Sequence, residues 1–163
     1  MKAYTRILAT SLASILCASS FSTLGQGKAC ALATPAELEV VLGGKASLSP
    51  STAGAADVCS AKVGANAVVI RLVQRTGEPP SEKTTQAGVE AVKKMGATVE
   101  TRTFGPIFCM AITPSAQMAA HGFTTTCTVS KHPMYAVIEV KTAKQGMPID
   151  KLRPIAEKMA GRF

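Results

Sequence analysis

Four cysteines, Cys30, Cys59, Cys109 and Cys127, follow an apolar N-terminal run, and this pairing limits what the chain can become more than any other feature. The chain opens with Lys2 and Arg6 and then carries no charge until Lys28, with Ile7, Leu8, Leu12, Ile15 and Leu16 in between. A short basic stretch followed by an apolar one of this length is the pattern of a cleavable secretory signal. A stable membrane helix needs about twenty consecutive apolar residues, whereas Thr10, Ser11, Ser14, Ser19 and Ser20 interrupt this run. Small residues permit cleavage after Ser20 or after Gly25. The expected organisation is a signal over residues 1–25 and a single domain over residues 26–163, periplasmic or secreted, with no stable membrane span after cleavage. Cys17 stands where a bacterial lipoprotein carries its lipid, but the bulky Leu16 before it suits that processing poorly, so Cys17 is expected to leave with the signal.

An even cysteine count in an exported chain implies two disulfides formed in an oxidising compartment. Four cysteines allow three connectivities, and spacing alone selects none of them. Metal binding and thiol redox chemistry are disfavoured, because no C-x-x-C pair is present and the thiolates would be oxidised. Neither a metal nor any other cofactor is expected.

A mature chain of roughly 140 residues buries one hydrophobic core. With no Trp, that core must come from Val, Ile, Leu, Met and Ala. Dropping Lys2 and Arg6 from the 18 basic side chains, against 10 acidic ones, leaves a charge of +6. Such a surface favours anionic partners. Nucleic acid is excluded as a partner, because the basic residues are scattered, with Lys93-Lys94 the only adjacent pair, and lack interleaved stacking aromatics.

Local signals place the elements. Thr34 as N-cap, Pro35 at N1, Glu37 at N3 and Gly43-Gly44 as a stop predict a helix over Pro35–Leu42. The Ser, Ala, Gly, Thr and Pro of residues 45–57 read as a loop. A β-prone run predicts a strand over residues 67–73, ended by Gly77-Glu78-Pro79-Pro80. Ser81 caps a helix through Met95, with Val89, Val92 and Met95 on one face, expected to lie on the sheet surface. Strands follow over Thr98–Phe104, residues 107–112, 124–130 and 135–142. Gly105-Pro106 connects the first two of these, residues 113–122 form a short helical connection, and residues 131–134 form a turn. Cys109 and Cys127 fall mid-strand in segments able to neighbour each other, which favours that pair and leaves Cys30 for Cys59. A last helix covers residues 148–159, kinked or broken at Pro154. The fold class implied is α+β: a two-layer sandwich of helices packed on a mostly antiparallel sheet, with two disulfides.

The stretch Cys30-Ala31-Leu32-Ala33-Thr34-Pro35-Ala36-Glu37-Leu38, running on to Leu42-Gly43, resembles the opening of small bacterial cell-envelope domains, many of them lipoproteins of unknown function. Those domains are similar to the Mog1/PsbP-like α+β sandwich. The resemblance implies a disulfide from Cys30 to a strand cysteine such as Cys59, and a non-enzymatic envelope role. It brings no catalytic residue.

Chemistry is sparse. The imidazoles are His121 and His132, and no G-x-S-x-G elbow accompanies them, so a small secreted hydrolase with a dispersed His-containing site is the alternative rather than the leading reading. His121 fits the last turn of a short helix, and the glutamates are assigned to a cap, helix faces or a strand surface. A copper carrier built from His121, His132, Met110, Met118 and Met134 is a further alternative, resting on unspecific spacing. By elimination the leading expectation is an exported, non-enzymatic binding or accessory protein of the bacterial envelope, with an envelope or extracellular partner. Its interaction loop would be the 131–134 turn with Lys131, His132 and Met134, or the 113–122 connection.

Overall fold

The computed structural model describes residues 27–75 and 82–163; the expected signal, its cleavage sites and Cys17 fall outside them. Among the described residues the chain runs α1 (Lys28–Ala31), α2 (Pro35–Leu42), β1 (Ala46–Ala53), β2 (Ala56–Val63), β3 (Asn66–Gln74), α3 (Glu82–Lys94), β4 (Thr98–Phe104) and β5 (Ile107–Thr113). A 3-10 turn (Ala116–His121), β6 (Phe123–Lys131), β7 (Met134–Thr142) and α4 (Ile149–Ala160) complete it.

The strands form one seven-stranded sheet in the order β1-β2-β3-β7-β6-β5-β4, every neighbouring pair antiparallel. The fold therefore departs from the expected α+β two-layer sandwich: an extensive antiparallel sheet dominates it and helices are few. The difference arises at residues 45–57, which build β1 and the start of β2 instead of a loop. Their Ser, Thr, Ala and Pro give little β-propensity, but β1 is an edge strand, where a proline such as Pro50 needs no ladder donor on its outer side. The turns supply the missing instruction. Gly54-Ala55 and Gly64-Ala65 close two-residue hairpins at positive φ on the glycine alone (61° and 60°), as type II′ turns require, and Gly105-Pro106 repeats the device between β4 and β5.

Register explains which face becomes the core. Directly opposed residues share a face, so Cys59, Ile70, Ile138, Cys127 and Cys109 form one continuous row. Leu72, Ala136, Val129 and Ile107 form the next. All of these residues are buried. Above them α4 lays Ile149, Leu152, Ile155, Ala156 and Met159, while α1, α2 and the link between them add Ala29, Leu32 and Leu38. The helix runs through Pro154 to Ala160, so the expected break there does not occur. Pro154 removes the hydrogen bond that would reach the Asp150 carbonyl, a cost of about 3 kcal/mol, and burial of the residues on both sides offsets it. In β7 the alternation places Ala136, Ile138 and Val140 inward and Tyr135, Glu139 and Lys141 on the other face, as its sequence predicts.

Two disulfides brace this frame. Cys109 and Cys127 are opposed partners on β5 and β6, with Cα atoms 4.1 Å apart, and Cys30 on α1 joins Cys59 on β2 across 4.9 Å. By contrast α3 packs chiefly against the edge strand β4 rather than spreading over the sheet, and Met95, expected inside, is 56% exposed. Among the described residues no helix is long and apolar enough to cross a membrane.

Candidate functional site

The connection after β7 borders an open surface groove. Thr142, the last residue of β7, donates its hydroxyl to the Gln145 carbonyl and curls the loop, and the buried Thr125 hydroxyl donates to the Met147 carbonyl at 2.7 Å. Gly122 lets the start of β6 approach closely: its φ is +69°, and a Cβ there would sit 2.9 Å from the Thr142 carbonyl oxygen. Gly146 rests against the Phe123 ring. On the other side, Gly43 ends α2 with a left-handed turn, and Asn66 Nδ2 donates to the Leu42 carbonyl at 3.5 Å. Between these two walls opens a groove of about 230 Å³, lined by Val41 and Leu42, Asn66, Thr142, the loop 145–148, and Lys151 of α4.

Its chemistry is mixed, with aliphatic Val41, Leu42, Met147 and Pro148 beside the amides of Asn66 and Gln145 and one ammonium group. Nearby carboxylates are engaged elsewhere. Glu39 accepts from the Ala46 N–H at 2.9 Å, Asp150 takes Arg102 through both oxygens at 3.1 Å, and Glu139 holds Arg71 and Lys141. Such a lining can bind and orient a small group, but it brings together no nucleophile, base and orienting acid.

The 131–134 turn occupies the opposite end of the sheet. Lys131 donates to the Phe163 carbonyl at 3.0 Å and lies 5.7 Å from that ring's centre. Met134 packs against the core and lines a small cavity of about 30 Å³ with Lys28, Asp57 and Leu72, while His132 is exposed. Asp57 is buried there and accepts from the N–H groups of Ala29 at 3.2 Å and Gly27 at 3.4 Å. Lys131, His132 and Met134 thus point to different surroundings. His121, at the end of the 3-10 turn, precedes β6 and His132 follows it. The length of that strand holds the two imidazoles roughly 30 Å apart, so they cannot serve one hydrolytic or copper site. Among the described residues no group of three or more His, Cys, Asp or Glu side chains could hold a metal.

One polar cluster went unread in the sequence. Arg162 forks onto both oxygens of Glu37 at 2.7 Å and also donates to the Leu32 carbonyl at 2.8 Å, with Lys158 3.1 Å from the same carboxylate. The Arg162 guanidinium, aided by the Thr34 N–H and Lys158, holds the Glu37 carboxyl well below the usual carboxylate range, against the opposing effect of burial. Glu37 also closes the expected capping box with Thr34. The cluster fastens residues 158 and 162 to α2.

With this geometry in hand, the likeness to known proteins is confined to shape. No family model matches the chain, and no curated protein does. The fold is similar to the crystal structure of the extracellular domain of PknH from Mycobacterium tuberculosis, with a TM-score of 0.53 and 10% identity over 85% of this chain and 96% of that one. The envelope-domain resemblance of residues 30–43 therefore reaches as far as the fold of one bacterial extracellular domain and no further.

Proposed function

We propose that the chain is an exported, non-enzymatic binding module of the bacterial cell envelope, and that its recognition site is the groove between the C-terminal end of α2 and the β7–α4 loop. The observation that carries this reading is the groove itself: an open concavity of about 230 Å³ on a disulfide-braced frame, its lining more polar than apolar, with Val41, Leu42, Met147 and Pro148 beside Asn66, Thr142, Gln145 and Lys151. Two disulfides favour an oxidising compartment, periplasmic or outside the cell, and the neighbour's fold comes from an extracellular domain. The 131–134 turn is the less suited surface, since Lys131 and Met134 are already occupied within the domain.

Titration of the isotopically labelled mature domain with small aliphatic amides and carboxylates, followed by amide NMR shifts, tests the site. Shifts should concentrate at Asn66, Thr142, Gln145, Gly146 and Lys151. Shifts confined to the 131–134 turn or to the sheet face bearing Arg71 and Glu139, or none anywhere, would remove the groove as the binding site.

A further inference from the structure

The end of the sheet that carries the groove also collects several lysines that have no ion-pair partner among the described residues. Lys45 precedes β1, Lys144 follows β7, and Lys151 lines the groove itself. Lys62 and Lys141 lie in one cross-strand row on the sheet face turned away from the helices, each opposed to Ala67, and Lys141 is paired with Glu139. Among the described residues no ion pair involves Lys45, Lys62, Lys144 or Lys151, whereas Arg71, Arg102, Arg153, Lys158 and Arg162 all have carboxylate partners.

Helix chemistry accounts for part of this. Lys45 lies just beyond the carbonyl end of α2, where a cation is stabilising, but Lys151 is the third residue of α4, where the dipole favours an acid. A lysine at 151 gains nothing from the helix dipole at that end.

Size and charge spacing then narrow the occupant. A groove of about 230 Å³ admits one side chain or a short stretch of chain rather than a whole ligand. Yet β1 and β7 are three strands apart in the sheet, which separates Lys45 from Lys144 by about 14 Å. A partner satisfying both features is extended, carries several negative charges and presents an aliphatic group among them. Resting on the groove as the recognition site, we infer that it receives an acidic peptide segment of a partner protein. An aliphatic side chain sits against Val41, Leu42 and Met147, backbone amides face Asn66 and Gln145, and carboxylates meet Lys45, Lys144 and Lys151.

The test uses a fluorescein-labelled nonapeptide of Asp and Glu around a central Leu, measured by anisotropy with the mature domain. Binding should weaken about tenfold between 50 and 300 mM salt and fall several-fold when the central Leu becomes Ser. Combining Lys45→Glu, Lys144→Glu and Lys151→Glu should reduce affinity by about tenfold or more. The same charge change at Lys28, Lys94 and Lys131 should have much less effect. Lys151→Glu alone should weaken binding while leaving the melting temperature unchanged or higher, a separation that a merely structural lysine would not produce.

No saturable binding of the peptide, equal loss from both triple variants, or preferential binding to phosphatidylglycerol vesicles or a sulfated polysaccharide would overturn the assignment. If small aliphatic probes shift the groove resonances while the acidic peptide fails to bind, only the peptide assignment falls. If neither engages the groove, the recognition site falls with it.

Discussion

Glu37 shows how much one side chain can be asked to do. The spacing of Thr34 and Glu37 made the capping box legible, since both partners lie within one turn and nothing distant is needed to bring them together. Arg162 was illegible by the same logic, because 125 residues separate it from Glu37 and only the docking of α4 across the sheet closes that gap. Replacing Arg162 by Ala strips the fork from a largely buried carboxylate and should cost about 1–3 kcal/mol in urea unfolding at neutral pH. The folded carboxyl titrates well below its unfolded counterpart, so the clasp's stabilisation is whole above the unfolded pKa of about 4.3 and is lost as pH falls toward the folded value. The stability difference between the wild type and Glu37→Gln should therefore be constant from pH 8 to about pH 5 and shrink below that. A difference that stays flat down to pH 3 would show that Glu37 acts through shape alone.

Elements with strong local codes formed where their residues predict them: α2 from its cap, β4 to β6 as runs set off by turn and helical connections, β7 from alternation, α4 from Ile149, Leu152, Ile155 and Met159 at helical spacing. β1 and most of β2 were hidden because a Ser-rich edge strand owes its conformation to its neighbour rather than to its own side chains. A signal existed in the Gly-Ala pairs at 54–55 and 64–65, ten residues apart, which is hairpin spacing. Helix α4 is the main lid on the central strands, and Leu152 within it is fully buried against them. Leu152→Ala should cost about 2–5 kcal/mol by the cavity it leaves, measured by chemical denaturation. A loss below 1 kcal/mol would mean that α4 is only loosely seated.

For the molecule as a whole, the disulfides turn a sheet flanked by a few helices into a braced unit. They close loops of 29 and 18 residues, each restricting the unfolded chain by about 3 kcal/mol. The two losses differ in kind, because Cys109–Cys127 staples strands already paired whereas Cys30–Cys59 holds the short α1 on the sheet. Replacing Cys109 and Cys127 by Ala should lower stability by about 2–4 kcal/mol with the protease pattern unchanged. The Cys30 and Cys59 replacement should in addition expose the segment before α2 to limited proteolysis. Identical protease patterns for the two variants would show that α1 stays seated without its covalent tie.

Near-neighbour chemistry could be read directly from the residues: helix caps, alternating strands, a glycine turn, and cysteines in number and position for two cross-links. Those features depend on contacts within a few residues, where chain geometry leaves few alternatives. Which strand lies beside which, where Arg162 finds its acid, and that α2, β3, β7 and α4 meet around a groove lined in part by Lys151 were decided by the tertiary structure alone. Each of these results from packing one amphipathic surface on another, and many sequences with the same local codes would satisfy that requirement in a different arrangement.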